Sequence, residues 1–329
     1  MPSEQSKIVI IGGGTGLSVL VRGLKKHPVD ITAIVTVADD GGSSGRLRDE
    51  LKIPPPGDVR NVLAALSDVE PMLEELFQHR FTTTGDLSGH SLGNLMLSAM
   101  TDITGDFYRA IIEMRKVLNV RGKVIPAANQ SVVLKAELED GTIVSGESKI
   151  PYSGKKIEKV FLSPSNVEPI KEAIVEIEKA DLIVIGPGSL YTSILPNLLV
   201  TEIGKAVISA KAKKVYVCNV MTQAGETLHY SASDHVKALN DHMDTSFIDT
   251  IIVNEGKIPN NILKRYNEEL SQQVLFDLDQ LNELKLEVVT KPIIKYDDNV
   301  IRHDTVKLAE ILCDLIPTKI KVKKGKKVK

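Results

Sequence analysis

Short apolar runs that each end in a glycine-rich or polar turn recur along the chain. Lys7-Ile-Val-Ile-Ile11 runs into Gly12-Gly-Gly-Thr-Gly16, and Asp181-Leu-Ile-Val-Ile185 runs into Gly186-Pro-Gly-Ser189. Lys214-Val-Tyr-Val-Cys218 leads into Asn219-Val-Met-Thr-Gln223, and Thr250-Ile-Ile-Val253 into Asn254-Glu-Gly256. A further β-branched run covers residues 30–37. Runs of this kind, apolar on both faces, predict strands of a parallel sheet buried between helices. The stretches between them carry the helical period. Leu17, Leu20, Val21 and Leu24 share one face of a predicted helix over 17–26, and helices are also predicted over 168–179, 234–243 and 305–315. Strand, glycine turn, helix, strand is the opening of an α/β fold, whose ligands sit at the carboxyl ends of the strands.

The middle of the chain has a different pattern. Residues 59–118 read as helical with little strand character. Residues 131–138 and 142–150 then read as two strands around Asp140-Gly141, a hairpin turn signal. Val133, Ala136 and Leu138 stand against Lys135, Glu137 and Glu139, so one face of the pair is solvated. Residues 120–165 are therefore expected to be a β insertion, not an independent domain. The fold predicted is Rossmann-like and three-layered, with a mostly parallel sheet and a small β-hairpin insertion. It forms one domain over 1–318, followed by a basic flexible tail at 319–329.

Composition changes this picture mainly through charge. The 329 residues carry a net charge of −2, but seven lysines lie in the last eleven residues. Setting those aside leaves the body at −9, an acidic globule with a basic tail. A near-neutral total argues against a dedicated nucleic-acid binder, and 4% aromatic residues with no Trp disfavours base-stacking platforms. The tail reads as a solvated segment, with an acidic partner or anionic membrane as the alternative. Cys218 and Cys313 are far apart and belong to no Cys/His cluster, so neither zinc nor a disulfide is expected. No apolar run nears the roughly 18 residues of a membrane span, so no stable membrane insertion is expected. The early first strand leaves no room for a signal peptide, and a cytoplasmic location is expected.

The turns carry the candidate chemistry. Gly12, Gly13, Gly14, Thr15 and Gly16 place backbone N–H groups at a helix start, which suits a phosphate. The dinucleotide fingerprint fits only in part, since Leu17 or Val19 replaces its third glycine, and no Gly-Lys-Ser/Thr makes it a P-loop. NAD(P) remains an alternative occupant of the same site. Asp39 and Asp40, followed by Gly41-Gly-Ser43-Ser-Gly45, end the second strand. An acid there accepts from a ribose hydroxyl, or two acids hold a divalent ion against a pyrophosphate. Asp58 suits the cap of the helix that follows Pro54-Pro-Pro-Gly, while Arg60 and Asn61 face either solvent or ligand. Asn94 offers an amide that reads a base or sugar edge, and His90 suits a cap or the surface. Gly186, Pro187, Gly188 and Ser189 repeat the design of the first turn.

Taken in order, Gly12–Gly16, Asp39-Asp-Gly-Gly-Ser43-Ser-Gly-Arg46, Pro55-Pro-Gly-Asp58-Val-Arg-Asn61, Gly186-Pro-Gly-Ser189-Leu-Tyr-Thr-Ser193 and Cys218-Asn-Val-Met-Thr-Gln223 resemble the YvcK/CofD-like family. The likeness is nearest to its bacterial YvcK branch, the gluconeogenesis factors, and extends through Ile301-Arg-His-Asp-Thr305. The resemblance implies a Rossmann-like protein that binds UDP-sugars, chiefly UDP-N-acetylglucosamine. It implies a role in cell shape and peptidoglycan precursor synthesis during gluconeogenic growth. It also implies contact with glucosamine-6-phosphate synthase and with a Ser/Thr kinase. Asn219, Thr222 and Gln223 fall within the matching motifs. Tyr266 and Arg302 fall at positions the family associates with UDP-sugar binding, and Thr305 at a position kinases phosphorylate. A transferase branch moves a phospholactyl group from a nucleotide-activated donor with Mg2+, and its acidic pair corresponds to Asp39 and Asp40.

Two functions follow as expectations. One is a regulator that binds UDP-N-acetylglucosamine without turnover. The other is a Mg2+-dependent transferase acting on a nucleotide-linked donor. No Ser/His/Asp triad is evident and no catalytic residue is assigned. A homo-oligomer is expected.

Overall fold

A computed structural model describes residues 5–297 and 300–317, so the basic tail predicted at 319–329 lies outside the described residues. The first strand, β1 (Ser6–Gly12), is followed by a helix, Gly14–Leu24, and by β2 (Val29–Val35). Four helices, Gly42–Leu51, Gly57–Leu66, Leu92–Thr104 and Phe107–Val117, with the shorter Pro71–Gln78 among them, precede β3 (Lys123–Pro126). Next come β4 (Val133–Leu138), β5 (Ile143–Ser145) and β6 (Ile157–Ser163). The second half supplies β7 (Leu182–Ile185), β8 (Lys213–Val217), β9 (Thr250–Asn254) and β10 (Glu287–Lys291), and closes with β11 (Ile294–Asp297), β12 (Val300–His303) and the helix Thr305–Asp314.

The main sheet has seven strands in the order β10-β9-β8-β7-β1-β2-β3. Every pairing in it is parallel. The chain lays strands outward from β1 in one direction, then returns to β7 and lays them outward in the other. Ile8 to Ile11 pair with Ile31 to Ile34 on one side and with Leu182 to Ile185 on the other. The four isoleucine and valine side chains from Ile8 to Ile11 are at most 1% exposed. Burial of each such chain contributes about 1.5–3 kcal/mol. The order reverses between β1 and β7, and such a switch point opens a crevice beyond the strand ends.

The middle segment departs from expectation in two places. Residues 123–126 form β3, an edge of the main sheet, so the antiparallel part begins only at β4. The second strand predicted over 142–150 is just Ile143–Ser145. Gly146 leaves the extended region at φ 110, and Glu147–Tyr152 forms a short 3-10 helix. The place of that strand is taken by β6, and β4 lies between β5 and β6 in a three-stranded sheet. Leu134, Ala136, Leu138, Val160 and Leu162 join the main core, so the insertion has no core of its own.

A separate small apolar cluster holds the C-terminal cap. Val220, Ile258 and Ile262 pack there with Tyr266, Ile294 and Ile301. It joins the helix Asn260–Glu268 to the antiparallel hairpin β11–β12. No helix of the described residues is long and apolar enough to cross a membrane.

Candidate functional site

Two glycine turns meet at the β1/β7 switch point. In the first, Gly13 is extended, Gly14 is left-handed at φ 64, and the helix Gly14–Leu24 begins with no side-chain cap of its own. In the second, Gly186-Pro-Gly-Ser189 follows β7 and leads into a wide helical turn, Leu190–Ile194. The turns touch at Gly16, where a Cβ would stand 2.7 Å from the Pro187 carbonyl oxygen. Asn197 ties them from below. Its Nδ2 donates to Gly12 O at 3.0 Å and to Ser193 O at 2.8 Å.

A cavity of about 430 Å3 opens above this junction. Gly13, Gly14, Thr15 and Gly16 line one side, and Pro187, Gly188 and Ser189 line the other. A third turn, after β8, brings Asn219 and Gln223. Asn219 Nδ2 donates to Gly188 O at 2.8 Å, and Gln223 Nε2 to Ser189 Oγ at 2.7 Å. These amides therefore set the shape of the second turn as well as lining the cavity. The cap closes the far wall with Tyr266 and Arg302. Tyr266 Oη accepts from Ile301 N at 2.9 Å, which fixes the hairpin that carries Arg302. A smaller cavity of about 160 Å3 continues past Arg302 and is lined by Thr305, Val19, Leu20 and Leu308.

Several residues singled out in the sequence stand outside the cavity lining and serve the framework. The Gly12 carbonyl accepts from Thr36 N and Asn197, and Gly186 makes the turn out of β7 at φ 79. Ser43 Oγ lies 3.0 Å from both His90 Nδ1 and Asn94 Nδ2, all three buried between helices. Thr222 is buried, and its Oγ1 accepts from Gln272 N at 2.9 Å. Asp39 Oδ1 accepts from Gly41 N at 2.9 Å, and Asp40 Oδ1 accepts from Ser148 N at 2.8 Å. Asp40 thus pins the insertion to the loop after β2. Arg60 faces neither solvent nor the cavity. It is 6% exposed and donates to Gln78 Oε1 and Asn61 Oδ1, and burial lowers its pKa to about 10.

Asp58 does not cap its own helix, whose N-cap is Pro56. It reaches across and accepts from the Gly14 N–H instead. Burial, and then the charge of Asp39, raises its pKa to about 6. The second turn is arranged alike. Glu226 is 6% exposed and accepts from Thr192 Oγ1 at 3.0 Å and Tyr191 N at 3.3 Å, and burial raises it to about 7. Each helix start thus already meets a carboxyl group of the protein, which takes part of the anion-binding capacity the glycine turns suggest.

The cavity is also lined by Glu147, Ser193, Val220, Met221, Ile301 and His303, none of which is among the candidate site residues read from the sequence, although Ser193, Val220, Met221, Ile301 and His303 lie within the quoted motifs. Glu147 comes from the insertion, and burial followed by the charges of Asp39, Asp40 and Asp58 raises it to about 8. Nothing in its local sequence marks it, because Asp39, Asp40 and Asp58, its acidic neighbours in space, are far from it in the chain. His303 lies beside Arg302, and its Nε2 donates to Cys218 O at 3.3 Å. Burial lowers its pKa, which disfavours the charged ring. Among the described residues no group of three or more His, Cys, Asp or Glu side chains is placed to hold a metal ion. A divalent ion at Asp39 and Asp40 would need phosphate oxygens to complete its shell.

Comparison with known proteins places this geometry in a group. The family model described as 2-phospho-L-lactate transferase CofD matches residues 8–294. The chain is 67% identical over 313 residues to the gluconeogenesis factor of Bacillus subtilis strain 168, covering 95% of this chain and 99% of that protein. It is 57% identical over 311 residues to the gluconeogenesis factor of Halalkalibacterium halodurans, covering 94% of this chain and 97% of that protein. A crystal structure of a protein from Bacillus halodurans superposes with a TM-score of 0.92 at 58% identity, covering 94% of this chain and 99% of that one.

Proposed function

The chain belongs to the CofD/YvcK family, among relatives named gluconeogenesis factors, and on that footing we propose that it is a cytoplasmic regulator that binds UDP-N-acetylglucosamine without turning it over. The observation that carries the reading is the meeting of two glycine turns at the β1/β7 switch point, under a cap that presents Arg302. A UDP-sugar matches that lining. Its pyrophosphate suits the N–H groups of Thr15 and Gly16, and a guanidinium forks onto two phosphate oxygens. Its sugar and base offer hydroxyl and imide groups to Asn219, Gln223 and Glu147. In this reading the bound sugar nucleotide reports on envelope precursor supply and tunes cell shape during gluconeogenic growth. The partners proposed are glucosamine-6-phosphate synthase and a Ser/Thr kinase acting on Thr305. Thr305 lines the smaller cavity beyond Arg302, so a phosphate there would add negative charge next to the ligand arginine.

Calorimetric titration with UDP-N-acetylglucosamine, with and without Mg2+, tests the reading. Stoichiometric binding without release of UMP, UTP or a transferred group supports it. Arg302→Ala is expected to weaken binding by about tenfold or more while the fold is kept. Affinity equal to wild type would remove Arg302 from the site.

One observation favours a second reading. Asp39, Asp40, Asp58 and Glu147 interact electrostatically beside the phosphate cradle. Such a set suits a Mg2+-bound nucleotide-linked donor, with Asp39 and Asp40 as the residues that would hold the ion. The metal would neutralise pyrophosphate charge in a transfer reaction. Mg2+-dependent product release that Asp40→Asn abolishes, with ligand binding retained, would decide for the transferase.

A further inference from the structure

A second and larger cavity, about 880 Å3, lies across a thin wall from the first. The same three segments line both. The insertion gives Glu147 to one and Pro151 to the other, the turn after β7 gives Ser189 and Tyr191, and the turn after β8 gives Gln223 and Glu226. The wall is closed tightly. Gly225 has φ 77, and a Cβ there would come within 1.7 Å of the Pro151 carbonyl oxygen.

This cavity has an aromatic floor. The Tyr191 and Tyr230 rings meet edge to face with centroids 6.4 Å apart, and Tyr191 meets His242 at 5.7 Å. The two tyrosine hydroxyls bond each other at 2.7 Å. Beside them Glu226 reaches the cavity from a position only 6% exposed. Among the described residues no lysine or arginine forms an ion pair with it. The cavity's own lysines are exposed, and Lys155 and Lys237 pair with Asp140 and Asp234. A buried carboxyl that accepts hydrogen bonds but meets no cation is costly to ionise, which the upward shift of Glu226 reflects.

We propose that this cavity is a second binding site and that it takes an organic cation. An ammonium or guanidinium head would rest on Glu226, with its aliphatic stem against the rings of Tyr191 and Tyr230. The volume suits a small ligand or a single long side chain. The head comes either from a free amine or from a lysine or arginine of a basic peptide. The wall also couples the two cavities, because Glu226 holds the backbone at Tyr191 while Gln223 holds Ser189. That coupling, but not the second site itself, rests on the function proposed above.

The test is calorimetry on the full chain without any nucleotide sugar, so that its failure leaves the UDP-sugar reading untouched. The probes are agmatine, cadaverine and a blocked peptide with one central arginine. At least one is expected to bind saturably, and Glu226→Gln is expected to weaken it by about tenfold or more. Tyr230→Leu keeps the carboxyl and removes one ring, and is expected to weaken binding by about threefold or more. It serves as the readout if Glu226→Gln fails to fold. Binding of the free amines identifies a small-molecule effector, and binding of the peptide alone identifies a protein partner. No saturable binding of any probe, or binding that neither variant alters, overturns the proposal.

Discussion

Glu147 enters the glycine-turn cavity from the insertion, beside a helix start already engaged by Asp58. Its carboxyl, ordinarily near 4.5, is raised to about 8. A raised value in the folded state means that the folded protein holds its proton after the unfolded chain has released one. Stability therefore falls as pH rises from about 4.5 to about 8. Glu226, at about 7, and Asp58, at about 6, act in the same direction over the lower part of that window. Glu147→Gln is expected to flatten the fall and to stabilise the protein at pH 8 by an amount on the order of 1 kcal/mol. Urea unfolding midpoints at pH 5 and pH 8 check this, and an equal slope in both proteins would refute it. Gly16 gives a second test at this scale. A methyl group there would meet the Pro187 carbonyl, so Gly16→Ala must push the two turns apart. We expect a loss of about 1–3 kcal/mol in stability and a weaker UDP-sugar titration.

At the scale of elements, the cap is held differently from the sheet. The helix Asn260–Glu268 and the hairpin β11–β12 rest on the small cluster around Ile262, separate from the main core. Few buried apolar contacts make a segment open readily. Amide hydrogen exchange is expected to be faster in 260–268 and 294–297 than in β1, and slowed by UDP-N-acetylglucosamine. Equal protection with and without the ligand would detach the cap from binding. Another joint is built more firmly. Asp277 accepts from Ser231 Oγ at 2.8 Å, Ser233 Oγ at 2.6 Å and Ser233 N at 3.0 Å, at the start of the helix Ala232–His242. Asp277→Ala removes these three hydrogen bonds, the one from the Ser233 N–H among them, and is expected to cost about 1–3 kcal/mol in denaturant unfolding.

For the whole molecule, the decisive relation is the placement of β7 beside β1. Asn197, 0% exposed, bridges the two turns this placement creates. Asn197 is not itself a lining residue of the cavity, yet Asn197→Ala is expected to cost about 1–3 kcal/mol and to weaken the ligand. Thermal unfolding beside calorimetry reads both effects. Unchanged affinity would show that the turns hold their shape without it. The glycine turns, the parallel strands and the family likeness are all written in local runs of residues, because burial on both faces and helical period act over a few positions. Glu147, the reach of Asp58 to Gly14, and the sharing of Gly16 and Pro187 are not written there. They depend on which strand lies beside which, and that follows from crossovers packing onto one sheet. The sequence by itself therefore determined that several strand ends carry glycine-rich turns. Only the tertiary structure decided which turns share a cavity, and it did so because contacts between strands far apart in the chain are set by the packing of the entire core.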